Sequence, residues 1–261
     1  MKTIEIDFSK FSSIKVGQTQ NVSIIESTDD LNNFHKPFIV GGANNLLVSD
    51  SVDKDLIKLS KGFSFIEICD GFLHIGGATK SSKIFSFSKS RDINGFEFLQ
   101  KLPGTLGGIL KMNAGVKSYE IFENLVAVKF KDGWVNRDEL EFGYRCTSIN
   151  QPIFEAKFKI NRGFKESLLQ QFSMMRSNQP KTPSAGSTFK NPKNSSAGFL
   201  LEKSGLRGYK IGNMGFSEVH SNFLVNYGNG IFKEAIELIE LAEKRVFQEF
   251  GIQLQREIVV I

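Results

Sequence analysis

The chain has 261 residues, 40% of them hydrophobic, enough to bury a sizeable core in two or three compact units. No run of 18 apolar residues occurs, which excludes a membrane-spanning helix, and Met1-Lys-Thr-Ile-Glu-Ile-Asp-Phe8 lacks the charged-then-apolar form of a signal peptide. The formal charge of +5 comes from scattered lysines and arginines, so no basic stripe for nucleic acid is read; a mild positive balance suits anionic small molecules such as nucleotides.

Residues 1–75 read mostly as short strands with tight turns, at 22–25, 37–40, Asp55–Leu59, 63–68 and 72–75. A helix with an imperfect apolar face follows at 79–91, then a short helix at 105–112 and a strand at Leu125–Phe130. Ile153-Phe-Glu-Ala-Lys-Phe-Lys-Ile160 alternates cleanly, with Phe154, Ala156, Phe158 and Ile160 on one face. Residues 165–179 read as a helix ending before Pro180, the stretch through Pro183, Ser184 and Gly186 as a loop, and 197–204 as a short helix stopped by Gly205. After a strand at 222–226, residues 231–250 give the clearest helix, with Phe232, Ala235, Ile239, Ala242, Val246 and Phe250 in one stripe. Asn229 is its candidate N-cap and Gly251 its C-terminal stop; 256–261 closes the chain as a strand. Most of the 25 phenylalanines, Phe232 and Phe247 among them, fall at such periodic positions and read as core. Strands and helices mix without strict alternation, which predicts an α+β fold.

Two cysteines, Cys69 and Cys146, form neither a disulfide framework nor a metal site, and no His or acid set has metal-ligand spacing. A reducing, cytoplasmic setting is the default.

Chemistry concentrates in two glycine-rich stretches. Val40-Gly-Gly-Ala-Asn-Asn-Leu-Leu-Val48 follows an apolar strand and turns at Gly41 and Gly42, with Ala43, Asn44, Asn45 and Leu46 behind the turn. Leu102-Pro-Gly-Thr-Leu-Gly-Gly108 turns and opens a helix. Successive backbone N–H groups in such a turn point into one concavity and bind an anion, as does a helix N-terminus. Two such loops suggest a dinucleotide diphosphate held from two sides. No Gly-x-Gly-x-x-Gly fingerprint for a separate nicotinamide domain occurs.

These stretches occur in order with Asn113-Ala-Gly115, Tyr144-Arg145, Ala185-Gly-Ser-Thr-Phe-Lys-Asn-Pro192, Ala197-Gly-Phe-Leu-Leu-Glu-Lys-Ser-Gly-Leu-Arg-Gly208, His220-Ser-Asn-Phe-Leu-Val-Asn226 and Glu257. Together they resemble the UDP-N-acetylenolpyruvoylglucosamine reductases, bacterial flavoenzymes of wall synthesis, in their shorter subclass without a tyrosine-bearing insertion. The chain departs from the family at three places: Ala43 replaces its frequent serine, Val116-Lys117-Ser118 its usual Ala-Tyr-Gly, and Cys146-Thr147 the acid or serine-containing segment usual after Arg145.

The resemblance implies a two-lobed FAD-binding domain of the vanillyl-alcohol-oxidase-like type and a smaller α+β substrate domain. The expected division is 1–60 and 61–162 for the FAD subdomains and 163–250 for the substrate domain, with 251–261 returning to the first lobe. It implies non-covalent FAD on Gly41, Gly42, Ala43, Asn44, Asn45, Leu46, Pro103, Gly104, Thr105, Gly107, Gly108, Asn113 and Gly115. NADPH is the implied electron source and an enolpyruvyl sugar nucleotide the substrate, contacted by Tyr144, Arg176, Asn191 and His220. Catalysis falls to three residues. Arg145 holds the substrate carboxylate, Ser187 gives a proton to carbon, and Glu257 donates to the enolate oxygen if protonated, although a neighbouring arginine favours its ionised form. A monomer is the default. Taken singly, Arg145 reads as a surface residue, Ser187 as a turn residue and Glu257 as a solvated strand residue; the ordered motifs outweigh those readings. Two alternatives stay open, a flavin oxidase on the same lobes and a non-enzymatic nucleotide or RNA binder.

Overall fold

The computed structural model describes residues 1–261, which form an α+β fold in two compact units. The first comprises residues 1–4, 22–42 and 55–177, and the second 5–21, 43–54 and 178–261.

The first unit holds two main sheets and two short two-stranded ones. In the smaller main sheet, strand Asp55–Leu59 lies in parallel between Thr19–Ile25 and Pro37–Ile39, with Ile57 opposite both Ser23 and Ile39. Its apolar positions Ile25, Ile57 and Leu59 cluster with Phe154. The larger sheet runs Gly133–Asn136, Leu125–Phe130, Glu155–Lys159, Phe72–Gly76, Ile66–Cys69, antiparallel throughout. The alternation read at 153–160 places Ala156 and Phe158 on the inner face, opposite Ile75 and Leu73. Helices Ser81–Ser90 and Ser167–Met175 close that core with Ile84, Leu168 and Phe172.

In the second unit, Ser184–Ser187, Phe223–Asn226, Met214–Phe216 and Lys210–Ile211 form an antiparallel sheet in that order. Helix Phe232–Phe250 buries Ala235, Leu238, Ile239, Ala242 and Val246 in the same core as Met214, Phe216 and Leu224. It ends at Gly251, where φ is 67° and the N–H bonds the Phe247 carbonyl at 2.9 Å. The terminal strand Val259–Val260 pairs in parallel with Leu46–Leu47.

Several local readings change. Ser184–Ser187 is a strand rather than a loop, because its partner Phe223–Asn226 supplies a ladder that local propensity cannot reveal. The strand read at 63–68 begins only at Ile66. Ser60 accepts from the Gly62 N–H at 3.2 Å and winds Lys61–Phe63 into a 3-10 turn. Asn229 lies before the last helix in a left-handed conformation (φ 56°), and Glu234 instead accepts from the Ile231 N–H at 3.3 Å. Phe247, read as core, is 54% exposed. Only Val259 and Val260 of 256–261 are strand, so Glu257 sits just ahead of it.

One buried polar junction orders the second unit. The side chain of Asn222 accepts from the Phe189 N–H at 3.0 Å and donates to the Phe189 carbonyl at 2.8 Å. Its backbone carbonyl accepts from the Thr188 N–H at 2.7 Å, and the Thr188 carbonyl accepts from Glu257 N–H at 2.8 Å. Asn222→Ala strands both backbone groups of a fully buried phenylalanine. It should lower unfolding free energy by about 2–4 kcal/mol, read as a shift of the urea midpoint; a shift under about 0.5 kcal/mol would remove Asn222 from this role.

Candidate functional site

The first unit encloses a cavity of about 760 Å³, within the roughly 300–1,000 Å³ span of small-molecule and cofactor sites. Phe38, Ile39, Leu59 and Ile153 form its apolar wall. Five lysines, Lys58, Lys61, Lys80, Lys83 and Lys111, share the remainder with serines and backbone, and no carboxylate lines it. Gly41, Thr105, Gly107 and Gly108, from the two glycine-rich stretches, lie on this one surface. A Cβ at Gly41 would stand 2.7 Å from Thr105 Oγ1, so the turn requires glycine to pass that close. Pro103 and Gly104 lie just outside the wall, where the Gly104 carbonyl accepts from Ser81 N–H at 3.0 Å and ties the second turn to helix Ser81–Ser90.

The charged side chains of this cavity are all of one sign. Lys58 donates to the carbonyls of Gly41 at 2.6 Å and Val40 at 3.3 Å. Burial, then the like charge of Lys80, holds its pKa below the ordinary lysine range. Burial alone lowers that of Lys111, which donates to the Ile149 carbonyl and to Asn150 Oδ1. A cavity of this kind favours a polyanion with an apolar body.

Elsewhere in the first unit a second cluster forms around Arg145. Its guanidinium donates to the Gly115 carbonyl at 2.7 Å and the Asn113 carbonyl at 3.4 Å, and packs over the Tyr144 ring at 5.3 Å. The backbone of Arg145 is left-handed (φ 56°), a strained state for a branchless but bulky residue, and it turns the side chain of a two-residue hairpin end. Asn113 is fully buried; its amide donates to Glu120 Oε2 at 2.7 Å and Gly143 O at 3.1 Å, and its Oδ1 has no hydrogen-bond partner. Arg176 donates to the Lys101 carbonyl. Burial, then the charge of Arg145, pulls its pKa down, so the two guanidinium groups feel one another. A pair of always-charged forks suits a carboxylate or phosphate.

In the second unit, Ser187 ends strand Ser184–Ser187 opposite Phe223. The Thr188 junction sets the Glu257 backbone beside it, and Asn45 donates to the Glu257 carbonyl at 2.9 Å. Ala43, Asn44 and Leu46 also belong to this unit. The Ala43 carbonyl accepts from Ser13 N–H at 3.1 Å, Asn44 donates to Ser13 Oγ at 2.7 Å, and Leu46 pairs with Val259. Asn191 accepts from Ala197 N–H at 3.0 Å, fixing the start of helix Ala197–Lys203. His220 accepts from Asn222 N–H at 3.2 Å through Nδ1 and lines a hollow of about 460 Å³ with Gly198, Phe199 and Arg207. Burial lowers its pKa, which favours the neutral ring.

The cavity lysines are absent from the residues singled out by sequence. One signal was available for two of them: Gly76-Gly77-Ala78-Thr79-Lys80 is a third glycine pair after an apolar strand, and Lys83 lies one turn beyond it. Lys58 gives no such signal, because an outward lysine on an alternating strand is ordinary.

The sequence profile of the C-terminal domain of UDP-N-acetylenolpyruvoylglucosamine reductase matches residues 179–261. The reductase of that name from Helicobacter hepaticus is 46% identical over 263 residues, covering 100% of both chains. That from Campylobacter jejuni is 45% identical over 261 residues, covering 98% of this chain and 99% of its own. The crystal structure of the Thermus caldophilus reductase superposes with a TM-score of 0.87 at 29% identity, over 100% of this chain and 99% of that one. On identity and coverage alike, the chain belongs to the UDP-N-acetylenolpyruvoylglucosamine reductase family.

Proposed function

We propose that the chain reduces the enolpyruvyl group of UDP-N-acetylglucosamine enolpyruvate to give UDP-N-acetylmuramate, a peptidoglycan precursor, with non-covalent FAD and with NADPH as electron source. Family membership carries the reaction class. The observation that carries the cofactor is the cavity of the first unit: about 760 Å³, lined by apolar side chains and five lysines, with no carboxylate and a glycine turn that a Cβ would fill. Such a chamber fits an aromatic dinucleotide with a diphosphate. FAD held there would supply the hydride chemistry, with NADPH as its reductant.

The chain's own residues do the rest. Arg145 and Arg176 place positive charge for the substrate carboxylate, whose enolate form gains negative charge as the reaction proceeds. Ser187 gives the proton to the adjacent carbon. Glu257 acts on the enolate oxygen, and the Thr188 junction supports its pairing with Ser187 by holding the two segments together. Asn191, His220 and Tyr144 contact the sugar nucleotide. Asn113, Gly115 and the residues from Ala43 to Leu46 complete the cofactor set with Gly41, Gly42, Pro103, Gly104, Thr105, Gly107 and Gly108.

The fold reading that accompanies this function is a two-lobed flavin domain of the vanillyl-alcohol-oxidase-like type, 1–60 and 61–162, followed by a substrate domain, 163–250. Each part carries its own sheet, and the parallel pairing of Val259–Val260 with Leu46–Leu47 supports a return of 251–261 to the first lobe. No helix is long and apolar enough to cross a membrane. A cytoplasmic location belongs to the same proposal, in keeping with two unpaired, exposed cysteines.

Purified protein should be yellow, bleach with NADPH, and recover its colour on addition of the enolpyruvyl substrate under anaerobic conditions. Protein that stays colourless after incubation with FAD would sink the cofactor assignment. Ser187→Ala should leave bleaching by NADPH near normal and slow substrate reoxidation by roughly 10³ or more in rapid mixing; equal slowing of both halves would make Ser187 a structural residue. Gly41→Ala should weaken FAD binding about tenfold or more by driving Cβ against Thr105, and the double variant Gly41→Ala/Thr105→Ala should recover part of that loss. Fluorescence titration of the apoprotein measures both.

A further inference from the structure

Along an extended strand, successive carbonyls point to opposite sides. Beyond strand Pro37–Ile39 they do not. The Lys58 ammonium bonds the carbonyl oxygens of Val40, at 3.3 Å, and Gly41, at 2.6 Å, so two consecutive carbonyls converge on one cation. A peptide unit is planar, and every peptide bond in this chain is trans. The N–H that follows each carbonyl therefore points the opposite way. The N–H groups of Gly41 and Gly42 are turned together to the side away from Lys58. N–H groups presented side by side on one face of a turn can each meet one phosphate of a diphosphate.

We propose that Lys58 is the positioning residue for the diphosphate of the bound dinucleotide: it acts through the Val40 and Gly41 carbonyls to preset the Gly41–Gly42 N–H pair. The inference rests on the FAD reading above. The base of Lys58 is well anchored for this task. It lies on strand Asp55–Leu59 between buried Ile57 and Leu59, and that strand is paired on both sides, to Ser23–Ile25 and to Pro37–Ile39. The Val40 N–H bonds the Ile57 carbonyl at 2.8 Å, so the turn and the lysine share one frame. An anion on that face would also offset the like charge that Lys80 imposes on Lys58.

The test uses the full-length apoprotein and three probes: FAD, ADP, which carries the diphosphate alone, and riboflavin, which carries none. Lys58→Met should weaken FAD and ADP about 10- to 100-fold and leave riboflavin within about twofold. Lys58→Arg restores donors and charge, and should return FAD affinity to within about threefold of wild type. Unchanged FAD affinity in the methionine variant overturns the proposal. So does an equal loss of riboflavin, which marks a packing role, and so does failure of arginine to rescue. Should the methionine variant not fold by circular dichroism, Lys58→Gln takes its place under the same criteria, with a smaller loss expected. Wild-type protein that binds no FAD overturns the cofactor reading and this inference together; wild-type binding with an indifferent variant overturns this inference alone.

Discussion

The cavity of the first unit depends on one close backbone contact, at Gly77. Its N–H donates to the Phe154 carbonyl at 2.7 Å and its own carbonyl accepts from Gly107 N–H at 2.9 Å. Two residues on, the Thr79 carbonyl accepts from Leu106 N–H at 2.9 Å. The turn at 77–79, the start of helix Leu106–Lys111 and the strand entry at 153–154 are thus joined backbone to backbone. A Cβ at Gly77 would run into the Ile153 carbonyl, so no other residue fits without moving the wall. Among the residues that line the chamber, Thr105, Lys111 and Ile153 take their place from that contact.

Charge is gathered around this frame against its own repulsion. Five lysines face one space without a carboxylate, and the pKa of Lys58 falls partly because Lys80 is near. Arg145 and Arg176 repeat the pattern. Like charges held together on partly buried sites cost folding free energy, and such arrangements cluster where an anion is meant to arrive. The cationic walls therefore add nothing to the stability of the fold. The fold's own stability comes from the apolar clusters beneath, where Phe96 meets Phe158 edge-on at 5.3 Å and Tyr119 meets Phe172 at 5.1 Å.

The second unit solves a different problem, the fixing of a short polar strand. Ser184–Ser187 carries a glycine with φ 84° and a break in register, features that leave a strand loose. Thr188 compensates from its buried position. Its N–H, carbonyl and hydroxyl all enter hydrogen bonds, to Asn222, to Glu257 and Ile258, and to Leu224. Ser187 inherits this order as its neighbour. The bidentate pair of Arg256 with Glu243, at 2.6 and 2.8 Å, fixes the residue before Glu257 to the long helix.

Elements with strong periodicity are legible in the residues alone. Helix Phe232–Phe250 with its Gly251 stop, strand Glu155–Lys159 and the α+β mixture follow from apolar spacing, because burial of one face is a local pattern. The two glycine turns are legible too, since close backbone approach leaves glycine as its trace. Tertiary structure alone decided three other things: that Ser184–Ser187 is a strand, that Phe247 faces solvent, and that Lys58 bonds two consecutive carbonyls. Each depends on a partner distant along the chain or on a direction in space. A lysine on an alternating strand looks the same in sequence whether its ammonium meets water or the carbonyls of a turn, because what separates the two is the pairing of strands and not the residue.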